Sequence, residues 1–179
     1  MRTTTLVTLL VACPAIAAPQ ESGSQGIALQ VAAAFSKQKH RVVTKHGVRK
    51  EKYKDVRSEP SVKRDITEYS GVYQVADCGD VIELRIGSDG SIRADGHDSD
   101  QPARTFVLEN ARIEAAVLTA IKVYRDGATV RFEGVFLTRT ERNSPTDPGI
   151  TTSGLGVLLT MPREFAGVTY DKLFYQLKQ

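Results

Sequence analysis

The chain has 179 residues, of which 25% are charged and 41% hydrophobic, and its formal net charge is +3. Those values suit one soluble globular domain of ordinary size with appendages. Absence of Trp, with only six Tyr and six Phe, argues against an aromatic-lined nucleic-acid or sugar platform.

The first residues, MRTTTLVTLLVACPAIAAPQ, read as a signal peptide over 1–17. Arg2 is the positive end, Leu6 to Ala12 a short apolar core, and Ala15-Ile16-Ala17 a small-residue cleavage site. The apolar run falls far short of the roughly 20 residues that span a bilayer. Leu10-Val11-Ala12-Cys13 also resembles a bacterial lipobox, so two readings stand: simple cleavage near Ala17, which is favoured, or lipidation of Cys13. Either way the expected location is exported, periplasmic or extracellular, free or lipid-anchored. Simple cleavage leaves Cys78 as the one remaining thiol, expected to be buried and inert.

Residues 18–64 read as a spacer, a short helix and a basic arm. The polar run Glu21 to Gly26 is the spacer. Ile27, Val31 and Phe35 recur at four-residue spacing, which predicts a helix over Ile27–Phe35. Ser36 to Arg64 holds seven Lys and four Arg against three acidic residues, a balance of +8, while the rest of the chain carries 13 basic and 18 acidic residues, or −5. One reading of this arm is attraction to an anionic surface, such as lipid headgroups or cell-wall polymers; the other is a solvated arm lying against its own acidic domain. Export takes the protein away from nucleic acid as a partner, and the arm lacks interleaved aromatics for base stacking.

From residue 65 to 179 the chain reads as a β domain. Gly71–Val75 is the first strand, followed by a turn at Asp77-Cys78-Gly79-Asp80. Val81–Gly87 alternates Ile82, Leu84 and Ile86 with charged residues. Ser88-Asp89-Gly90 predicts a three-residue hairpin that pairs Ile86 with Ile92 and Leu84 with Ala94. Gly96 to Ala103 is expected to be a polar loop. Arg104–Glu109 and Arg112–Ala116 are expected to pair around Asn110-Ala111, with a bend at Ala115-Ala116.

Val117 to Arg139 contains Asp126-Gly127, a strong signal for a two-residue turn. That register pairs Val123 with Val130 and Ile121 with Phe132, and makes Val117, Thr119, Ile121 and Val123 the buried face. It leaves Leu118, Val135 and Leu137 on the outer face, where the N-terminal helix, the 143–166 segment or a partner would cover them. Residues 141–156 read as a long Pro- and Gly-containing loop, Gly156–Thr160 as a brief apolar run, and Val168–Leu177 as the last strand.

Sequential hairpins predict an antiparallel meander, mostly β, closing into a small up-and-down barrel or forming a strongly curled sheet. Tyr69-Ser70-Gly71-Val72-Tyr73 resembles the first-strand signature of lipocalin-like exported barrels, aromatic-x-Gly-x-Trp, with Tyr73 at the Trp position. The resemblance implies an antiparallel barrel; a ligand would follow only by fold analogy.

Asp95, His97, Asp98 and Asp100 form the densest set of potential metal ligands, of a kind that suits a hard divalent or transition-metal cation. The competing explanation is turn chemistry, since Asp tolerates turn geometry. No cofactor is expected. No Gly-x-Ser-x-Gly elbow, phosphate-binding loop or Cys-His motif is present. The leading expectation is therefore a non-enzymatic exported β domain that binds a small apolar ligand or an envelope partner. A hydrolase or metal-dependent site at the barrel mouth is one alternative. A structural or assembly protein using Leu118, Val135 and Leu137 is the other.

Overall fold

The computed structural model describes residues 23–45, 48–99, 104–165 and 167–178, with the backbone alone for 41–45 and 48–51. A helix α1 (Ser24–Phe35) leads into β1 (Lys37–Lys45) and β2 (Val48–Pro60). A short 3-10 helix (Ile66–Tyr69) precedes eight strands: β3 (Gly71–Val75), β4 (Val81–Ile86), β5 (Ile92–Asp98), β6 (Arg104–Glu114), β7 (Val117–Tyr124), β8 (Thr129–Arg142), β9 (Ile150–Phe165) and β10 (Val168–Leu177).

Strands β3 to β8 pair in sequence, β10 pairs with both β3 and β9, and β8 pairs with β9, so the eight strands close into an antiparallel barrel. Closure removes the open sheet edges of the meander. The architecture is compatible with a lipocalin-like barrel. Among the described residues, no helix is long and apolar enough to cross a membrane.

The Ser88-Asp89-Gly90 turn forms in the expected register, with Leu84 opposite Ala94 and Ile86 opposite Ile92. Gly90 takes φ 79°, the left-handed conformation that this turn demands. The Asp126-Gly127 turn differs. Arg125, Asp126 and Gly127 form a three-residue loop, in which the Tyr124 amide donates to the Ala128 carbonyl at 2.8 Å. Only Gly127 has positive φ, at 85°. The Asp126 carboxylate accepts from the Ala128 amide at 3.0 Å, which fixes Asp126 in a conformation that a two-residue primed turn cannot use.

The added loop residue slips the pairing by one, so Ala120 faces Phe132 and Leu118 faces Gly134. A one-residue slip inverts a strand's faces. On β7 the interior residues are therefore Leu118, Ala120, Lys122 and Tyr124, while Ile121 is 37% exposed. On β8 the expected interior residues, Phe132 and Phe136, are in place.

Three further expectations are corrected. Arg104 to Glu114 is one strand, bulged where Asn110 takes φ 53°, and the tight turn lies at Ala115-Ala116. Gly96 to Asp98 continues β5 instead of opening a loop. Ile150 to Phe165 is a strand of 16 residues. It accommodates Pro162 because beyond Gly156 it pairs only with β10, and the register between them shifts near Tyr170 and Lys172.

The helix begins at Ser24, three residues before the expected start, and buries Ala28, Val31, Ala32 and Phe35. Those side chains cover Val117, Val135 and Leu137 on the outside of the barrel. Gly156 permits this contact: a Cβ there would meet Leu137 Cδ1 at 2.7 Å and the Phe35 ring at 2.9 Å. The basic segment forms a two-stranded ribbon, and β2 joins it to β8 through Asp55–Pro60. Its anchor includes Ser58 Oγ, which donates to the Phe35 carbonyl at 3.2 Å.

The Ala115-Ala116 turn gives a direct stability test. Both residues sit in the left-handed region, at φ 47° and 68°, which costs an L-residue about 1–2 kcal/mol. Ala116 is buried and its methyl is needed, but Ala115 is partly exposed. Ala115→Gly is expected to raise stability by about 0.5–1 kcal/mol after Gly's own entropic penalty, a Tm increase of about 1–4 °C by calorimetry.

Candidate functional site

The barrel interior is filled by rings and branched side chains. Tyr69 stacks on Phe136 with centroids 4.1 Å apart, Tyr73 lies 5.8 Å from the same ring, and Phe106 meets Tyr124 edge-on at 5.9 Å. Ile82, Leu84, Leu118, Leu155 and Tyr175 occupy the space between. One end is closed by the 3-10 helix. There Tyr69 Oη donates to the Ser61 carbonyl at 2.8 Å, and Tyr73 Oη donates to the Tyr69 carbonyl at 2.6 Å.

The opposite end carries a buried polar network. Asp98 accepts two hydrogen bonds from Lys122 Nζ, at 2.7 and 2.8 Å, and one from Tyr124 Oη at 2.6 Å. Asp80 receives the Arg163 guanidinium in a bidentate pair at 2.7 and 3.2 Å. It also accepts from the Ser99 amide at 3.0 Å and the Ser99 hydroxyl at 2.8 Å. Arg163 reaches Asp98 at 3.9 Å and so connects the two halves. Lys122 Nζ lies 3.9 Å from the centre of the Phe106 ring, on its face.

Two carboxylates face two cations, so the charges of these four groups cancel. Burial alone would raise the Asp80 carboxyl, but the Arg163 and Ser99 hydrogen bonds outweigh it and hold the group below its ordinary range. Burial lowers Lys122 despite the attraction of Asp98. Burial, then the hydrogen bond to Asp98, raises Tyr124. Burial likewise raises the Cys78 thiol, the Asp80 amide opposing and the Asp80 carboxylate adding to the effect, which disfavours a nucleophilic thiolate.

The proposed metal ligands are not brought together. Strand alternation sends Asp98 inward and places Asp95 and His97 on the other face of β5. Asp98 is committed to Lys122 and Tyr124, and exposed Asp95 pairs with Arg85 at 2.9 Å. Asp100 and Cys13 lie outside the described residues. Among those described, no three His, Cys, Asp or Glu residues converge as a metal site.

The suggested partner patch is also not a surface. Leu118 packs inside the barrel because of the register slip, while Val135 and Leu137 lie beneath α1. All three have 0% exposure.

Open space occurs outside the barrel. A groove of about 650 Å³ runs between the base of the β1–β2 ribbon, the end of α1 and the outer face of β10. Phe35, Val56 and Phe174 supply apolar surface, and Lys37, Lys54, Arg139 and Lys172 supply positive charge against one carboxylate, Asp77. A second hollow of about 300 Å³ shares Arg139, Phe174 and Gln176. Lys54 pairs with Glu141 at 2.7 Å, and Lys172 Nζ donates to the Ala34 carbonyl at the end of α1. The Arg139 guanidinium lies 5.3 Å from the Phe174 ring centre, and its Nε is buried without a hydrogen-bond partner among the described residues.

Neither site was anticipated from sequence. Lys122 and Tyr124 share parity with Leu118 and Ala120, so the correct β7 register would have flagged a lysine among interior positions. Asp80, Ser99 and Arg163 meet only on closure, from positions up to 83 residues apart. No family model matches the chain, and no curated protein or solved structure matches it.

Removing one member of the buried pair should cost far more than removing the pair. Lys122→Met leaves Asp98 buried without its cation and is expected to cost about 3 kcal/mol in urea unfolding; adding Asp98→Leu should recover most of that. The Asp80 carboxyl, held below its unfolded value, gives its full contribution above the ordinary carboxylate range and loses it as pH falls through the folded value. Wild-type stability is thus expected to fall as pH drops below the ordinary carboxylate range, and Asp80→Asn should flatten that dependence while lowering stability at neutral pH.

Proposed function

We propose that this protein is an exported, non-enzymatic binding domain that holds an anionic envelope partner on the outside of its barrel, in the groove beside the end of α1. The single observation that carries the reading is the distribution of space. The interior is occupied by packed rings, while a concavity of about 650 Å³ with apolar walls, four cationic side chains and one carboxylate, Asp77, lies outside. Binding sites are typically concave and largely apolar with a few placed polar groups, and this groove has that composition.

The lipocalin-like resemblance of Tyr69 to Tyr73 fits within the proposal as kinship of barrel type. Tyr73 and Tyr69 are buried where they fill and seal the interior, so the ligand-holding role moves from the barrel lumen to its flank. A small apolar ligand remains compatible with the groove's Phe35, Val56 and Phe174 wall. The cationic rim favours one that also carries negative charge. Export follows from the leader over 1–17, with Cys13 either removed by cleavage or retained as a lipid anchor.

The enzyme alternative draws less support. The polar network at the barrel end has its charges paired, and Asp95 and His97 lie on the face of β5 opposite Asp98. An assembly role through Leu118, Val135 and Leu137 would require the chain to uncover them.

Charge reversal in the groove tests the proposal. The wild-type protein should cosediment with purified host envelopes, and Lys37→Glu with Lys172→Glu should reduce the bound fraction at least about fivefold at moderate salt, with Tm monitored in parallel. Undiminished binding by a folded double variant would contradict a groove site.

A further inference from the structure

The β1–β2 register separates the charges of the basic segment by face. Lys37 pairs with Val56, Lys39 with Lys54, Arg41 with Lys52, Val43 with Lys50, and Lys45 with Val48. Because residues alternate across a ribbon, these positions share one face. That face carries seven Lys or Arg and no carboxylate. The alternate positions, Gln38, His40, Val42, Thr44, Arg49, Glu51, Tyr53 and Asp55, carry one cation and two carboxylates.

On this face the register sets no carboxylate opposite a cation. Lys39 stands opposite Lys54, and Arg41 opposite Lys52, an arrangement that destabilises a ribbon by like-charge repulsion. Lys39, then burial and the more distant Lys172 and Lys54, depresses the Lys37 ammonium. Lys54 reaches Glu141 on β8 at 2.7 Å. The strip also continues into the groove, since Lys37 and Lys54 line it and Lys172 stands on β10 beyond them.

We propose that the cationic face of the β1–β2 ribbon, together with the groove at its base, binds a linear phosphate polymer. This deepens the groove reading and rests on it for the part of the chain held beside Lys172. Alternate residues on a strand lie about 6.6–6.8 Å apart, so Lys37, Lys39 and Arg41 on one strand and Lys50, Lys52 and Lys54 on the other occupy two rows of register positions at that spacing. A flexible chain of closely spaced anions meets both rows and enters the concavity. A bilayer can touch the ribbon but cannot enter the groove. The ribbon's aromatic edge contact, His40 with Tyr53 at 6.1 Å, lies on the opposite face and offers this strip no stacking platform for bases.

Long-chain inorganic polyphosphate is the probe, compared by fluorescence anisotropy with single-stranded DNA and with phosphatidylglycerol vesicles. Polyphosphate should bind with an affinity that falls about 10- to 100-fold between about 50 and about 200 mM salt, through release of condensed counterions. K39Q/K52Q should weaken binding at least about tenfold, whereas R49Q, which removes a charge from the other face, should change it less than about twofold. Each variant is used only if its Tm matches wild type. Equal effects of R49Q and the single K52Q would overturn the face assignment, and preference for vesicles or DNA over polyphosphate would overturn the ligand class. If K39Q/K52Q weakens binding and K37Q/K172Q does not, the ribbon assignment stands and the groove reading fails. If only K37Q/K172Q weakens it, the ribbon assignment fails and the groove reading stands.

Discussion

The structure depends on the pairing of β8 along both of its edges. Its first half bonds to β7, its second half bonds to β2 on the same side, and from Val135 to Glu141 it also bonds to β9. The β9 contact closes the barrel, and the β2 contact attaches the basic ribbon. The register of β8 therefore sets which residues enter the core and which direction the cationic face takes. Outward-facing Val135 and Leu137 then hold α1, and the end of α1 completes the groove.

The two ends of the barrel are sealed by different chemistry. At one end, Tyr69 and Tyr73 bury rings and spend their hydroxyls on backbone carbonyls. At the other, the Asp80–Arg163 and Asp98–Lys122 pairs satisfy one another. Buried ion pairs seldom add net stability over apolar packing, but breaking one is costly. The network thus penalises any register that would separate β4, β5, β7 and β9. An interior closed at both ends and packed between leaves the exterior to meet partners.

Much of the fold was legible because its signals are local. The Ile82, Leu84, Ile86 alternation and the Ser88-Asp89-Gly90 turn dictated a hairpin register, and β4 and β5 adopt it. The errors arose where one local choice had a distant consequence. Asp126-Gly127 suits a two-residue turn by composition, but the Asp126 carboxylate captures the Ala128 amide and the loop takes three residues. That slip turned Leu118 inward and concealed Lys122 as an interior cation. The strand through Ile150–Phe165 was hidden by Pro162 and its glycines, tolerated because the strand bends and pairs on one side only over its later residues.

The candidate sites were less legible for a related reason. Composition showed an excess of positive charge over Ser36–Arg64, but only strand pairing sorts those charges by face. The acidic cluster at Asp95–Asp100 was dense in sequence and divided in space, since a period of two places neighbouring residues on opposite faces. Amide chemical shifts of 15N-labelled protein titrated with long-chain polyphosphate test the central claim most directly. Shifts concentrated at Lys37, Lys39, Lys52, Lys54 and Lys172, with Leu84, Leu118 and Leu155 unmoved, are the expected result. Shifts concentrated at the barrel interior or at Asp98 and Lys122, with the ribbon silent, would contradict a function carried on the outer face.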